Sequence, residues 1–118
     1  MSLQESQIKK YLEKVVSDLK CQTDFSKISK SLLHKGIIVD FWIPSLNCVI
    51  EVHGIQHYKP SGFGRDKVQT QIAFNNQINR DEKLKKLCIQ YNLNYIEIPY
   101  TEKVDLQSIW TKLLPLMN

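Results

Sequence analysis

The chain has 118 residues, 42% of them hydrophobic, which is enough for one small domain with a single core. Its formal net charge of +4 is compatible with a polyanionic partner, and three scattered cysteines (Cys21, Cys48 and Cys88) exclude a disulfide framework or a zinc finger. Because no apolar run approaches a membrane span and no signal peptide opens the chain, we expect a cytoplasmic, intracellular protein, neither secreted nor in a membrane.

Apolar spacing predicts the elements of the first half of the chain. Ile8, Leu12 and Val15 recur at helical spacing and predict a helix over about residues 3–20. A short strand is expected near residues 21–25, and a polar, irregular segment continues to residue 36. Two apolar runs, 37–43 and 49–53, predict a β-hairpin that turns at residues 44–47.

The second half of the chain predicts a helix, a strand and a helix. Residues 59–67, with one proline, two glycines and three basic side chains, are predicted to form a basic, mobile loop. A long helix is expected over about residues 68–91, with Asn92 as its cap. A strand at 95–98 and a helix at 106–116, disturbed by Pro115, complete the order. We therefore predict a single α/β domain over residues 1–118.

The predicted hairpin places two carboxylates opposite each other. If Ile43 faces Cys48, then Asp40 faces Glu51, and their Cβ atoms lie roughly 5 Å apart on one face that His53 shares. Two carboxylates repel each other unless one is protonated or a cation lies between them, and a hard divalent ion fits this position. A solvent-facing pair is the alternative, but a hairpin that is apolar on both faces is typical of a covered sheet.

Three further residues carry open alternatives. His57 and His53 lie within five residues beside the acid pair, which favours function over a core role. Asp81 lies on the inward stripe of the long helix, where it either hydrogen-bonds His57 or pairs with a basic neighbour: Arg80, Lys83 or Lys85. Glu5 fits a capping box with Ser2, yet it also aligns with the apolar stripe, and Glu13 is the fallback acid of this helix.

The chain resembles a known superfamily of nucleases. Asp40, ten intervening residues and then Glu51-Val52-His53 resemble the PD-(D/E)xK motif, with His53 in the lysine position. The run from Glu51 to His57 resembles the Vsr-like (very-short-patch-repair) endonucleases. The phage homing endonucleases of the EDxHD type carry Glu, Asp, His and Asp in this order along the chain. Four residues of this chain resemble that order: Glu5, Asp40, His57 and Asp81.

The resemblance implies a compact restriction-endonuclease-like core, in which a mixed β-sheet is flanked by helices. It implies a DNA endonuclease that uses Mg²⁺, with Mn²⁺ as a plausible substitute, bound by Asp40, Glu51 and the main-chain carbonyl of Val52. His57 would activate or position the attacking water, and His53 would contact the scissile phosphate or an outer-sphere water. The implied catalytic set is Glu5, Asp40, His53, His57 and Asp81.

The resemblance implies double-stranded DNA as the partner, in a phage or bacterial host. Basic and polar groups near the site are expected to contact DNA, although charged faces are often merely solvated: Gln56, Lys59, Arg65, Lys67 and Arg80. Target recognition would come from a homodimer or an attached DNA-recognition domain. The chain is then the catalytic domain of a homing endonuclease, and the alternatives are a mismatch or very-short-patch-repair nickase, an inactive DNA-binding module and a metal-binding protein unrelated to DNA.

Overall fold

The computed structural model describes residues 1–60 and 66–117. The helices are α1 (Leu3–Val15), α2 (Phe25–Ser29), α3 (Lys67–Gln90) and α4 (Leu106–Leu113). The strands are β1 (Lys20–Asp24), β2 (Ile38–Ile43), β3 (Cys48–His53) and β4 (Asn94–Pro99). Short 3-10 turns lie at Leu32–His34, Pro44–Leu46, Ile55–His57 and Leu114–Leu116.

The four strands form one mixed sheet in the order β1-β2-β3-β4. The first two pairs are antiparallel, whereas β3 and β4 are parallel and are joined through α3, because parallel neighbours need a crossover. Ile43 pairs with Cys48 and Phe41 pairs with Ile50, which confirms the predicted hairpin register. The predicted α/β fold, a mixed sheet flanked by helices, is therefore confirmed.

Hydrophobic side chains cover both faces of the sheet. Adjacent residues of a strand point to opposite faces, so Phe41 and Trp42 face different helices. One cluster joins the sheet to α1 and α4 and contains Ile8, Leu12, Phe41, Ile43, Cys48, Ile50, Val52, Ile98, Ile109 and Leu113. The other joins it to α2 and α3 and contains Phe25, Val39, Val49, Leu84, Leu87 and Cys88. Within the described residues, no helix is long and apolar enough to span a membrane.

Several element boundaries differ from the sequence prediction. Helix α1 ends at Val15 rather than near residue 20, because Val16 adopts an extended conformation and β1 begins at Lys20. The segment predicted to be irregular contains α2, which Asp24 caps by accepting a hydrogen bond from the Ser26 N–H at 2.9 Å. A helix of five residues is too short to show an apolar period.

Candidate active site

The pairing of β2 with β3 extends from the turn to Phe41 and Ile50. Beyond this pair, the side chains of Asp40 and Glu51 each reach the backbone of the other strand. Glu51 Oε2 accepts a hydrogen bond from the Asp40 N–H at 2.7 Å, and Asp40 Oδ2 accepts one from the Val52 N–H at 2.8 Å. The ladder between β1 and β2 also skips Gln22, which has a φ of 48°. Asp40 therefore lies at a gap in both ladders, and the carboxylates take the place of backbone acceptors.

The acids at this gap share a poorly solvated environment. Burial, followed by repulsion from Asp40, raises the pKa of Glu51 to about 9. Burial and then the Asp40 carboxylate also raise the pKa of Glu5 in α1. Three carboxylates at one place favour a cation among them, and a set of oxygen donors suits a hard divalent ion. The chemistry of these oxygen donors therefore suits such an ion.

Glu5 makes only part of the predicted capping box. Its backbone N–H donates to Ser2 Oγ at 3.1 Å, as expected for the helix cap. Its carboxylate accepts a hydrogen bond from Gln22 Nε2 at 3.2 Å and lies beside the acid pair. Glu13, the fallback acid, is exposed and pairs with Lys9 at 3.9 Å, away from the acid pair. Of the two acids in α1, the structure brings Glu5 to the site.

The opposite wall of the site is formed by a histidine and an aspartate. The 3-10 turn after β3 carries His57, whose Nδ1 lies 2.8 Å from Asp81 Oδ2 of α3, so the predicted hydrogen bond is present. An ionised carboxylate can only accept, so Nδ1 donates this hydrogen bond, and Nε2 of the neutral ring is then left as an acceptor. Gln77 Nε2 donates to the other oxygen of Asp81 at 2.9 Å, which orients the carboxylate.

His53 lies behind His57 rather than beside it. The two rings stack with centroids 3.9 Å apart and an angle of 10° between their planes. His53 is 3% exposed, and burial followed by the neighbouring His57 lowers its pKa, which favours a neutral ring. Its Nδ1 lies 3.3 Å from Glu97 Oε1, while its Nε2 has no hydrogen-bond partner among the described residues. Because His53 is buried against the His57 ring, its predicted contact with a phosphate stays a prediction.

His53, His57 and Asp81 also form a potential metal-binding group. One ligand atom from each lies within 4.8 Å of the others. An ion binds an imidazole in the plane of its ring, and two nearly parallel stacked rings cannot both point at the same ion. One ring must turn before all three residues can hold one ion.

Glu97 is a site residue that the sequence analysis missed. It pairs with Glu51 in the parallel register of β3 and β4, and it accepts a hydrogen bond from the Tyr58 hydroxyl at 3.0 Å. Lys85 Nζ lies 3.3 Å from its carboxylate. Although burial acts to raise it, the Tyr58 hydrogen bond and then the neighbouring His53 and Lys85 side chains lower the pKa of Glu97. Its position between two isoleucines was the only signal in the sequence.

One cleft of about 650 Å³, here called the acid cleft, brings most of the predicted site residues together. Its lining includes Glu5, Asp40, Glu51, Val52, Gln56, His57, Gln77, Arg80 and Asp81. Lys59 and Lys67 are exposed and do not line it. Arg65, also predicted to contact DNA, lies outside the described residues. The fold and this cleft define a compact α/β domain with an acid–histidine site.

Comparisons with known proteins add one relative. No protein-family model matches the chain, and no solved structure matches it. The chain is similar to "Uncharacterized protein 307L" of Invertebrate iridescent virus 6, with 37% identity over 78 residues. The match covers 66% of this chain and 38% of the viral protein, whose name states no activity. The chain therefore resembles a segment of a longer viral protein.

Proposed function

We propose that this chain is a divalent-metal-dependent DNA endonuclease with a PD-(D/E)xK-type core that hydrolyses phosphodiester bonds. The observation that supports this function is that the Asp40–Glu51 acid pair and the His57–Asp81 hydrogen-bonded pair line the same cleft. Metal-assisted hydrolases combine oxygen ligands for a cation with a base that is oriented by a second group. In this proposal the cleft supplies both parts.

The wall of the acid cleft that is formed by Glu5, Asp40 and Glu51 would hold the cation. Asp40, Glu51 and the main-chain carbonyl of Val52 are the proposed ligands, and Glu5 would help to hold its hydration shell. Mg²⁺ is the proposed ion, with Mn²⁺ as a substitute, because both prefer oxygen donors. When bound, such an ion stabilises negative charge on the phosphate and on the leaving oxygen.

The opposite wall, formed by His57 and Asp81, would carry out the proton transfer. His57 Nε2 is an acceptor and would take a proton from the attacking water, while Asp81 holds the tautomer and stabilises the charged ring. His53 is a positioning residue in this proposal, because its ring stacks against His57 and its Nδ1 faces Glu97. Gln77 supports Asp81 from the other side.

Double-stranded DNA is the proposed partner. Arg80 and Gln56 line the acid cleft, where they could contact the backbone on either side of the scissile phosphate, and Lys59 and Lys67 are exposed nearby in the chain. We propose further that the core is Vsr-like and of the EDxHD homing type. This assignment is supported by Glu5, Asp40, His57 and Asp81, which all line the cleft. A second copy or an attached domain would share target recognition.

Plasmid cleavage tests the proposed function. The wild-type protein should nick or linearise plasmid DNA in Mg²⁺ and not in EDTA. Asp40→Asn and His57→Ala should each cut at least about 100-fold more slowly, because each removes one half of the site. Glu82→Gln, an exposed acid next to Asp81, is the matched control and should cut like the parent. Equal rates for the parent, Asp40→Asn and His57→Ala would refute the site assignment.

An inactive DNA-binding module of the same fold is the second candidate. It is favoured by the observation that Asp40 and Glu51 already accept backbone hydrogen bonds, so the pair could serve the hairpin alone. Such a module would bind duplex DNA in a salt-dependent manner, would not cut it in Mg²⁺, and would gain no thermal stability from Mg²⁺. Cleavage by the parent that is lost in His57→Ala would exclude it.

A further inference from the structure

Helix α3 extends well beyond the part of it that is packed in the core. Its 24 residues span about 36 Å, and its buried residues, Leu84, Leu87 and Cys88, all lie in its last third. The half from Lys67 to Arg80 contains no buried residue. Five of its residues, however, are half-buried: Thr70, Ala73, Phe74, Gln77 and Ile78. The first four lie on the side that continues the core stripe. This side of the helix therefore faces a cleft.

That cleft, here called the α3 groove, has a volume of about 480 Å³ and is lined by Gln56, Thr70, Ala73, Phe74, Asn76, Gln77 and Arg80. It shares Gln56, Gln77 and Arg80 with the acid cleft, so the two are continuous. A polymer whose scissile bond lies in the acid cleft would have its adjoining units in the α3 groove. The side chains of the α3 groove would therefore help to determine which polymer can bind in the acid cleft.

The chemistry of the α3 groove differs from that of the acid cleft. Arg80 is the only charged residue among its described lining residues, and residues 68–79 contain no charge at all. Amides such as Gln56 and Asn76 offer a donor and an acceptor together, the pattern that reads base edges, particularly adenine. A neutral, amide-rich wall with one arginine fits bases next to one phosphate better than it fits an acidic peptide.

Asn76 is a groove residue whose side chain is available to a ligand. Its side chain is exposed and makes no hydrogen bond within the described part of the chain. Gln77, by contrast, donates its amide to Asp81. Asn75 accepts a hydrogen bond from Gln71 at 3.0 Å and does not line the groove. Two adjacent asparagines thus differ in whether they face the groove.

We propose that the α3 groove binds the nucleotides of duplex DNA that flank the scissile phosphate, and that its amides set a base preference there. The inference rests on the proposed function for the identity of the scissile bond. Asn76 contributes a base-edge contact, and Arg80 holds the phosphate between the two clefts. The groove is therefore a specificity-determining part of the substrate site.

A selection experiment with a paired control tests the groove. A library of short duplexes with a randomised centre is bound to the protein in EDTA, and the retained sequences are determined for the wild type, Asn76→Ala and Asn75→Ala. The wild type should show a base preference that Asn76→Ala reduces by about 5- to 150-fold, the range for one base-edge contact. Asn75→Ala should keep the preference. Both asparagines are exposed, so equal melting temperatures confirm that both variants fold.

The outcomes separate this inference from the proposed function. A wild type without base preference, or an Asn76→Ala variant with the wild-type preference, would overturn the groove assignment even if DNA is cut in Mg²⁺. An Asn76-dependent preference without cleavage in Mg²⁺ would support the groove and refute the nuclease. Absence of duplex binding in EDTA would overturn the groove assignment, and absence of cleavage in Mg²⁺ as well would overturn both.

Discussion

The Glu51→Gln substitution should stabilise the metal-free protein at neutral pH. Burial and then Asp40 raise the pKa of Glu51 to about 9, so the ionised carboxylate is disfavoured in the fold. Glutamine keeps the size of the side chain and an oxygen that can accept the Asp40 N–H, a bond of 2.7 Å in the parent. The substitution therefore removes the charge and retains the contact.

The sign and the size of the stability change follow from the raised pKa of Glu51. Because the folded-state pKa lies above the unfolded value of 4.5, the contribution of Glu51 is complete below pH 4.5 and is lost as pH rises through about 9. At pH 7 the unfolded chain is ionised at Glu51 while the folded chain holds the proton. This difference costs the wild type at most about 3 kcal/mol, or about 10 °C in melting temperature for a domain of this length.

Thermal unfolding followed by circular dichroism measures this effect. In EDTA, the midpoint of the wild type should fall from pH 5 to pH 9, while that of Glu51→Gln should fall much less and exceed it at pH 7. Added Mg²⁺ should raise the midpoint of the wild type and leave Glu51→Gln unchanged. Glu82→Gln, an exposed acid on α3, should follow the wild type in every condition. A lower midpoint for Glu51→Gln at pH 7 in EDTA would refute the reasoning.

Three further predictions concern other parts of the molecule. Asp81→Asn should slow single-turnover cleavage at least about 100-fold without weakening duplex binding. His57 loses its charged partner, and an amide whose oxygen accepts from Gln77 turns its NH2 group toward His57 Nδ1. A rate within about twofold of the parent would contradict the role. Leu84→Ala should lower the free energy of unfolding by about 2–5 kcal/mol in urea titration, because Leu84 is buried against the sheet. Asp105→Ala should lower the free energy of unfolding by about 1 kcal/mol, since Asp105 and Ser108 form the capping box of α4. Asp105→Asn should keep most of this stability, and equal losses for the two variants would argue against the cap.

Local patterns in the sequence determined the elements and the hairpin register. The two apolar runs and the Pro44–Asn47 turn are close in the chain, and a short turn leaves few ways to pair the strands. The same register brings Asp40 and Glu51 together. The short helix α2 escaped prediction because one helical turn and a half has no readable period, and the helix depends on its Asp24 cap.

Tertiary structure alone decided which polar groups from distant parts of the chain meet. His57 and Asp81 are 24 positions apart and come together only because the crossover lays α3 over the sheet. The parallel pairing of β3 with β4 places Glu97 beside Glu51, and the turn after β3 puts His57 in the cleft and His53 behind it. Such contacts depend on long-range packing of helices against strands, and periodicity within one element cannot encode them.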